Sequence, residues 1–287
     1  MKFFATLLSL ALVLSGTAEA HSHVNRHYRR VGPSATFSKP SAPTTTAAPP
    51  PKPTSTGTTI KRGVSYNQAQ LTENFSGSKV SWAYNWASAP GGELPKDLEF
   101  IPMLWGGGDN SNWVNDATAA IASGSTHLLG MNEPDLGAQS NLSPAAAAAL
   151  WKQFMEPFAG KAKLCSPAIT NGAAPMGEAW LDDFLSACDG CTIDCIAFHI
   201  YDSATNVAYF KNYITDIGTK YGKPTWMTEF GASGSTQDQQ TFLNEMLPFL
   251  DNLTTVERYA YFMAGQDILV DNSGNLLPLG QTYNTAS

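Results

Sequence analysis

The chain has 287 residues, 43% of them hydrophobic and 14% charged, with a formal net charge of −7 at pH 7. That is enough apolar material for one large core, and the pattern excludes a protein that spans a membrane throughout. Charge is unevenly placed: eight of the 17 Lys and Arg lie at or before Arg62, whereas 23 of the 24 Asp and Glu follow it, so the part from Gly63 onward should repel nucleic acid.

Lys2, the apolar run from Phe3 to Val13 and Ala18-Glu19-Ala20 read as a secretory signal cleaved after Ala20, the run being too short to cross a bilayer. Residues 21–59 are rich in Pro, Ser and Thr and nearly devoid of apolar side chains, so they read as a disordered, O-glycosylated stalk. Lys61-Arg62 closes this stretch as a dibasic pair, open to a processing protease or else a basic strand edge. The polar end from Gln281 to Ser287 has no lipid-anchor signal.

After Arg62, apolar runs of strand length alternate with helical patterns. The runs are Gly63 to Asn67, Val80 to Trp86, Phe100 to Trp105, Leu128 to Glu133, Lys163 to Thr170, Cys195 to Tyr201, Thr225 to Phe230 and Arg258 to Met263. Near-continuous apolarity marks strands covered on both faces, as in a parallel sheet. Between them, Ser143-Pro144 opens an alanine-rich helix, and Val207 to Tyr221 keeps helical spacing until Gly222. Thr236 with Gln239 fits a capping box. The first two connections, around Leu71 to Gly77 and Ala87 to Leu98, are too short for full helices. Eight strands with intervening helices over residues 60–287 predict an α/β fold, the (β/α)₈ TIM barrel. A doubly wound open sheet is the alternative, but no Gly-rich phosphate loop opens the first helix.

In such a barrel the chemistry belongs at the C-terminal ends of the strands. There the fourth run ends in Asn132-Glu133, the sixth in His199-Ile200-Tyr201-Asp202, the seventh in Glu229, and the second and third in Tyr84-Asn85-Trp86 and Trp105. A lone Glu at a strand end is usually a cap or an ion-pair residue. Two of them amid aromatic and amide side chains are what a glycosidase needs: one protonated carboxyl for the leaving oxygen, and one ionised carboxylate to attack or to activate water. Asn132 is placed to donate to a sugar 2-hydroxyl. His199 and Tyr201 share a strand face, from which the Tyr201 hydroxyl could hold Glu229, while His199 reads equally as a core histidine. Trp82, Trp86, Trp105, Trp113 and Tyr261 are candidates for stacking on a sugar face, with Trp86 and Trp105 favoured because they end strands. Trp151, Trp180 and Trp226 read as buried behind the barrel. No metal site is expected, since no second His or carboxylate recurs at ligand spacing, and no cofactor is implied.

Four of these stretches carry a resemblance. Asn132-Glu133-Pro134 with Thr228-Glu229-Phe230-Gly231 resembles the clan A glycoside hydrolases, and Lys61 to Asn67, Met131 to Asp135, Ala197 to Tyr201 and Trp226 to Phe230 together resemble glycoside hydrolase family 128. The resemblance runs from Lys61 to the C-terminus. It implies an endo-acting, retaining β-1,3-glucanase with Glu133 as acid/base and Glu229 as nucleophile, the carboxyls about 5–5.5 Å apart. With these two acids, the substrate cleft is expected to include Asn67, Asn132, His199, Tyr201, Trp86, Trp105 and Tyr261. The eighth run, Tyr259-Ala260-Tyr261-Phe262, lacks the Trp that many sugar-cleaving barrels place there. The expected partner is thus β-1,3-glucan, with no nucleic acid and no membrane, met by a secreted, wall-associated monomer. Rival readings are a barrel acting on β-1,4-glucan or mannan, a non-catalytic wall-binding protein, and a transglycosylase using the same two carboxylates.

The four cysteines allow three pairings. Cys188 with Cys191 and Cys165 with Cys195 is preferred, because the latter two would sit on adjacent strands, and secretion favours disulfides over a metal or redox role. Sequons at Asn74, Asn141 and Asn252 fit surface positions of a secreted glycoprotein, and Asn141 follows Glu133 closely enough to border the cleft.

Overall fold

The computed structural model describes residues 61–286; the signal and stalk read from the sequence lie outside the described residues. Its strands are β1 (Arg62–Tyr66), β2 (Val80–Tyr84), β3 (Glu99–Phe100), β4 (His127–Leu129), β5 (Lys163–Cys165), β6 (Ile196–Ser203), β7 (Thr225–Ser233) and β8 (Val256–Ala264). Its helices are α1 (Trp113–Ala122), α2 (Pro144–Leu150), α3 (Glu178–Ala187), α4 (Val207–Tyr221), α5 (Thr236–Asn252) and α6 (Pro278–Thr285). All strand pairings are parallel, in a six-stranded sheet of order β3-β2-β1-β8-β7-β6 and a two-stranded sheet β4-β5. Two seams close the ring. Leu129 N donates to Pro102 O and Leu104 N to Leu129 O, each at 3.0 Å, joining the continuation of β3 to β4; the bridges Cys165 to Cys195 and Ile169 to Phe198 join β5 to β6. The result is the (β/α)₈ barrel that the alternation of runs predicts.

Local chemistry sets the helix ends. Ser143 Oγ accepts from Ala146 N at 3.2 Å ahead of Pro144, capping α2. Gly222 ends α4 with φ +60°, a left-handed turn that glycine adopts without steric cost. The capping box of α5 is Ser235 with Asp238, one residue before the expected Thr236 with Gln239: Ser235 has extended backbone and Thr236 is already helical. The β1–β2 connection is a 3₁₀ turn, Ala69–Phe75, and the β2–β3 connection has no α-helix, as their lengths predict.

Packing falls into an inner and an outer layer. Inside the barrel, Trp82, Tyr84, Met103, Leu129, Ala197 and Trp226 are among the residues that fill the interior. Trp226 therefore does not lie behind the wall; its ring sits 5.1 Å from Trp82 inside it. Trp151 and Trp180 do lie outside, against Phe184 of α3. Gly63 makes room for this filling, since a Cβ there would stand 2.1 Å from the Trp82 ring. Trp113 is also core, its indole N–H donating to Phe154 O. The cysteines pair as the strand order suggests, Cys165–Cys195 across the β5–β6 seam with Cα atoms 4.4 Å apart, and Cys188–Cys191 at the end of α3.

Of the two readings of Lys61-Arg62, the basic strand edge describes its place in the fold, since Arg62 begins β1 and is buried there. Its side chain is 1% exposed, donates to Tyr259 OH, Tyr283 O, Ala286 O and Asp251 Oδ2, and so ties α6 and the end of α5 to β1. Lys61 Nζ adds bonds to Leu250 O and Leu253 O at the C-terminus of α5. Among the described residues, no helix is long and apolar enough to cross a membrane.

Candidate active site

The segment that follows β4 and the middles of β6 and β7 bring together Glu133, His199 and Glu229, which are 7%, 0% and 5% exposed. One ligand atom from each lies within 4.8 Å of the other two. Glu133 leaves the β4 run with φ +41°, a left-handed conformation that re-aims the chain at the strand end. Its amide donates to Ala168 O at 2.8 Å, which fixes the turn against the β5 continuation. Glu229 is aimed by a bulge. His199 pairs with Glu229 while its neighbour Phe198 pairs with Met227, so Thr228 is the extra residue, and both Thr228 and Glu229 face inward.

Donors surround Glu229. Trp86 Nε1 donates to Oε1 at 2.7 Å, Tyr201 OH to Oε2 at 2.5 Å, and Tyr84 OH lies 3.4 Å from Oε1. His199 stands between the carboxylates, with Nδ1 2.9 Å from Glu133 Oε1 and Nε2 3.0 Å from Thr228 Oγ1 and 3.6 Å from Glu229 Oε1. Burial opposes charge on the imidazole, but the charge of Glu229 and the hydrogen bond and charge of Glu133 outweigh it, so its pKa is raised. Tyr84 and Tyr201 are pushed well up by burial and by Glu229, so both stay protonated donors. Glu133, His199 and Glu229 converge in a way that sequence spacing cannot show. A metal ion there would compete with these N–H and O–H donors and with a histidine that favours its charged form.

The remaining candidates divide. Asn132 Nδ2 donates to Gln139 Oε1 at 3.3 Å, and its Oδ1 is buried without a partner among the described residues. Trp105 is 40% exposed at the barrel mouth, and Asn67 is exposed just past β1, its amide 4.0 Å from Met263 Sδ. Trp86 is half-buried, its backbone at φ +58°, with its ring edge-on to Tyr84 and Phe262. Tyr261 is not in the cleft. It is 2% exposed, packs on Phe230 and Tyr283, and donates to Gln239 Oε1 at 3.0 Å. Its neighbour Phe262 points the other way, 5.6 Å from Trp86 and 6.0 Å from Tyr201. Tyr84 lies, as its place at the end of the second run predicts, on the same strand face as Trp82 and Trp86, whereas Thr228 and Phe262 are site residues to which sequence alone assigns no role.

Asp135 joins two rim loops. Its carboxylate accepts from Thr170 N, Thr170 Oγ1 and Gly177 N, so the turn after Glu133 is fixed to the segment after β5.

The family described as "Glycosyl hydrolase catalytic core" matches residues 63–283. Over 246 residues the chain is 31% identical to alkali-sensitive linkage protein 1 of Schizosaccharomyces pombe, covering 78% of this chain and 44% of that protein. The chain thus spans less than half the length of that relative. It is similar to the solved structure of a curdlan-specific exo-β-1,3-glucanase from Blastomyces gilchristii, of glycoside hydrolase family 128 subgroup III, determined with glucose. That match has 44% identity and TM-score 0.75, and covers 80% of this chain and 100% of the other. A subgroup II endo-β-1,3-glucanase from Sorangium cellulosum is 32% identical with TM-score 0.68, covering 79% of this chain and 98% of the other. With the fold, the strand-end glutamates and these similarities in agreement, the chain belongs to the glycosyl hydrolase catalytic-core family, and within it to glycoside hydrolase family 128.

Proposed function

We propose that the protein is a secreted, retaining β-1,3-glucanase acting on cell-wall polymer, with Glu229 as nucleophile and Glu133 as acid/base. The observation that carries this reading is the approach of one oxygen from each carboxyl to within 4.8 Å, together with the donors that fix Glu229 in a single orientation. That spacing suits direct attack and leaves less room than an inverting enzyme needs for water between them. In the first step Glu229 attacks the anomeric carbon while Glu133 gives its proton to the departing glycosidic oxygen. In the second, Glu133 takes a proton from water, whose oxygen displaces Glu229 and restores both groups. The unpaired Asn132 Oδ1 beside Glu133 offers a polar position for a sugar hydroxyl, and exposed Trp105 a stacking face at the rim.

β-1,3-Glucan as substrate rests on the relatives' activities. Endo action is the expectation from sequence; the higher identity to an exo-acting enzyme favours exo action as the second reading. Incubation with a linear β-1,3-glucan, followed by chromatography, tests both. A ladder of oligosaccharides marks endo action, and glucose alone marks exo action. Glu229→Gln and Glu133→Gln are each expected to lower turnover on the order of 10³-fold or more. Near-normal turnover in either variant would refute the assignment, and binding without products would favour a wall-binding protein.

A further inference from the structure

β5 ends at Cys165, and its last bridge to β6 joins Ile169 to Phe198, so the backbone ladder on that side stops short of Tyr201. A side chain continues it. Asn171 Oδ1 accepts from Tyr201 N at 3.3 Å, and Asn171 Nδ2 donates to Tyr201 O at 3.1 Å and to Tyr209 OH on α4 at 3.2 Å. On the opposite side Tyr201 pairs with Gly231 of β7, where an added Cβ would stand 2.8 Å from the Tyr201 ring. Tyr201 is therefore held through both of its backbone polar groups by one amide and through its ring by the absence of a side chain at Gly231. Its hydroxyl is the donor to Glu229 Oε2.

We infer that Asn171 is a positioning residue for the reaction: its amide replaces the missing strand neighbour of Tyr201 and, through the Tyr201 hydroxyl, sets the orientation of Glu229. It touches neither carboxylate itself. This inference rests on the proposed role of Glu229, and the test separates the two.

The test is a double-mutant cycle on linear β-1,3-glucan with the wild type, Asn171→Ala, Tyr201→Phe and the double variant. Asn171→Ala is expected to lower kcat about tenfold with KM within about twofold, and to have no further effect in the Tyr201→Phe background. Multiplying losses in the double variant, or an unchanged kcat in Asn171→Ala, would overturn the inference while leaving the glucanase reading intact. A structural measurement covers the case in which the wild type releases no product. In a crystal structure of Asn171→Ala the Tyr201 hydroxyl is expected to have moved off Glu229, and a contact retained at hydrogen-bond distance overturns the inference whatever the substrate. Asn171→Asp keeps the acceptor for Tyr201 N but sets a carboxylate oxygen against Tyr201 O, so it is expected to lower kcat at least as far as Asn171→Ala, and a wild-type kcat in this variant would overturn the inference.

Discussion

Burial of the His199 imidazole opposes its charged form, and its acidic neighbours oppose burial. Two carboxylates flank it and raise its pKa above the ordinary 6.5, so the folded state binds a proton that the unfolded chain releases sooner. The sign follows: the stabilisation is complete below the unfolded value and is lost as pH rises through the folded one. Urea unfolding of the wild type and His199→Gln should therefore show a wild-type advantage that is largest near pH 5 and shrinks on the alkaline side; an advantage that grew with pH would contradict the charged assignment. At this scale the sequence was a partial guide. It put Glu133, Glu229, His199 and Tyr201 at strand ends, but it could not say whether His199 was core or site, because it is both: 0% exposed and in contact with both partners. Tyr261 was misread for a different reason. β8 alternates Ala260 and Phe262 inward against Tyr259 and Tyr261 outward, and a run of four apolar residues shows no parity until its neighbours are known.

At the level of elements, the eight runs were legible because each is apolar and bounded, whereas their regular hydrogen bonding is shorter than the runs in β3, β4 and β5. The bulge at Thr228 and the side-chain ladder at Asn171 left no mark in the sequence, since both depend on where the adjacent strand ends. Cys165–Cys195 closes a separation of 30 residues and Cys188–Cys191 one of 3. Loop-closure entropy makes the first worth about 3.7 kcal/mol and the second about 1.6 kcal/mol, so replacing Cys165 and Cys195 together by Ala should give the larger loss in denaturant titrations. A second joint lies at the start of β7 and β8. Glu257 accepts from Trp226 Nε1 at 2.9 Å and stands 3.6 Å from His127 Nε2. His127, then Trp226 and Arg258, work against burial to bring its carboxyl down to about 2. A depressed carboxyl stabilises above its unfolded value and loses that contribution as pH falls, so the wild type should lead Glu257→Gln at pH 7 and the lead should fade between pH 4.5 and 2. Thermal unfolding across that range checks it.

Over the whole molecule, the ends of the described chain are joined. Arg62 of β1 holds the carbonyls of Tyr283 and Ala286, Lys79 also reaches Ala286 O, and Tyr283 OH donates to Gly63 O. A protease that cuts after basic residues needs several residues of extended, unpaired chain, and here the bond after Arg62 runs inside a paired strand. Limited trypsin digestion should therefore spare Arg62–Gly63 while the protein is folded; rapid release of a fragment starting at Gly63 would contradict this. The two seams of the barrel have a further consequence. Glu133 leaves the short β4–β5 panel, and Glu229 belongs to the long six-stranded one. Among the described residues the panels meet through isolated bridges rather than regular ladders, so the distance between the two acids is held jointly by these seams and by His199, which reaches Glu133 on one side and Thr228 on the other, as a cross-brace holds a pair of jaws. One joint carries a covalent bond beside its amide bonds, Ser166 N to Cys195 O and His199 N to Ile169 O, and the other rests on amides alone, Leu129 N to Pro102 O, Leu104 N to Leu129 O and Asn132 N to Trp105 O.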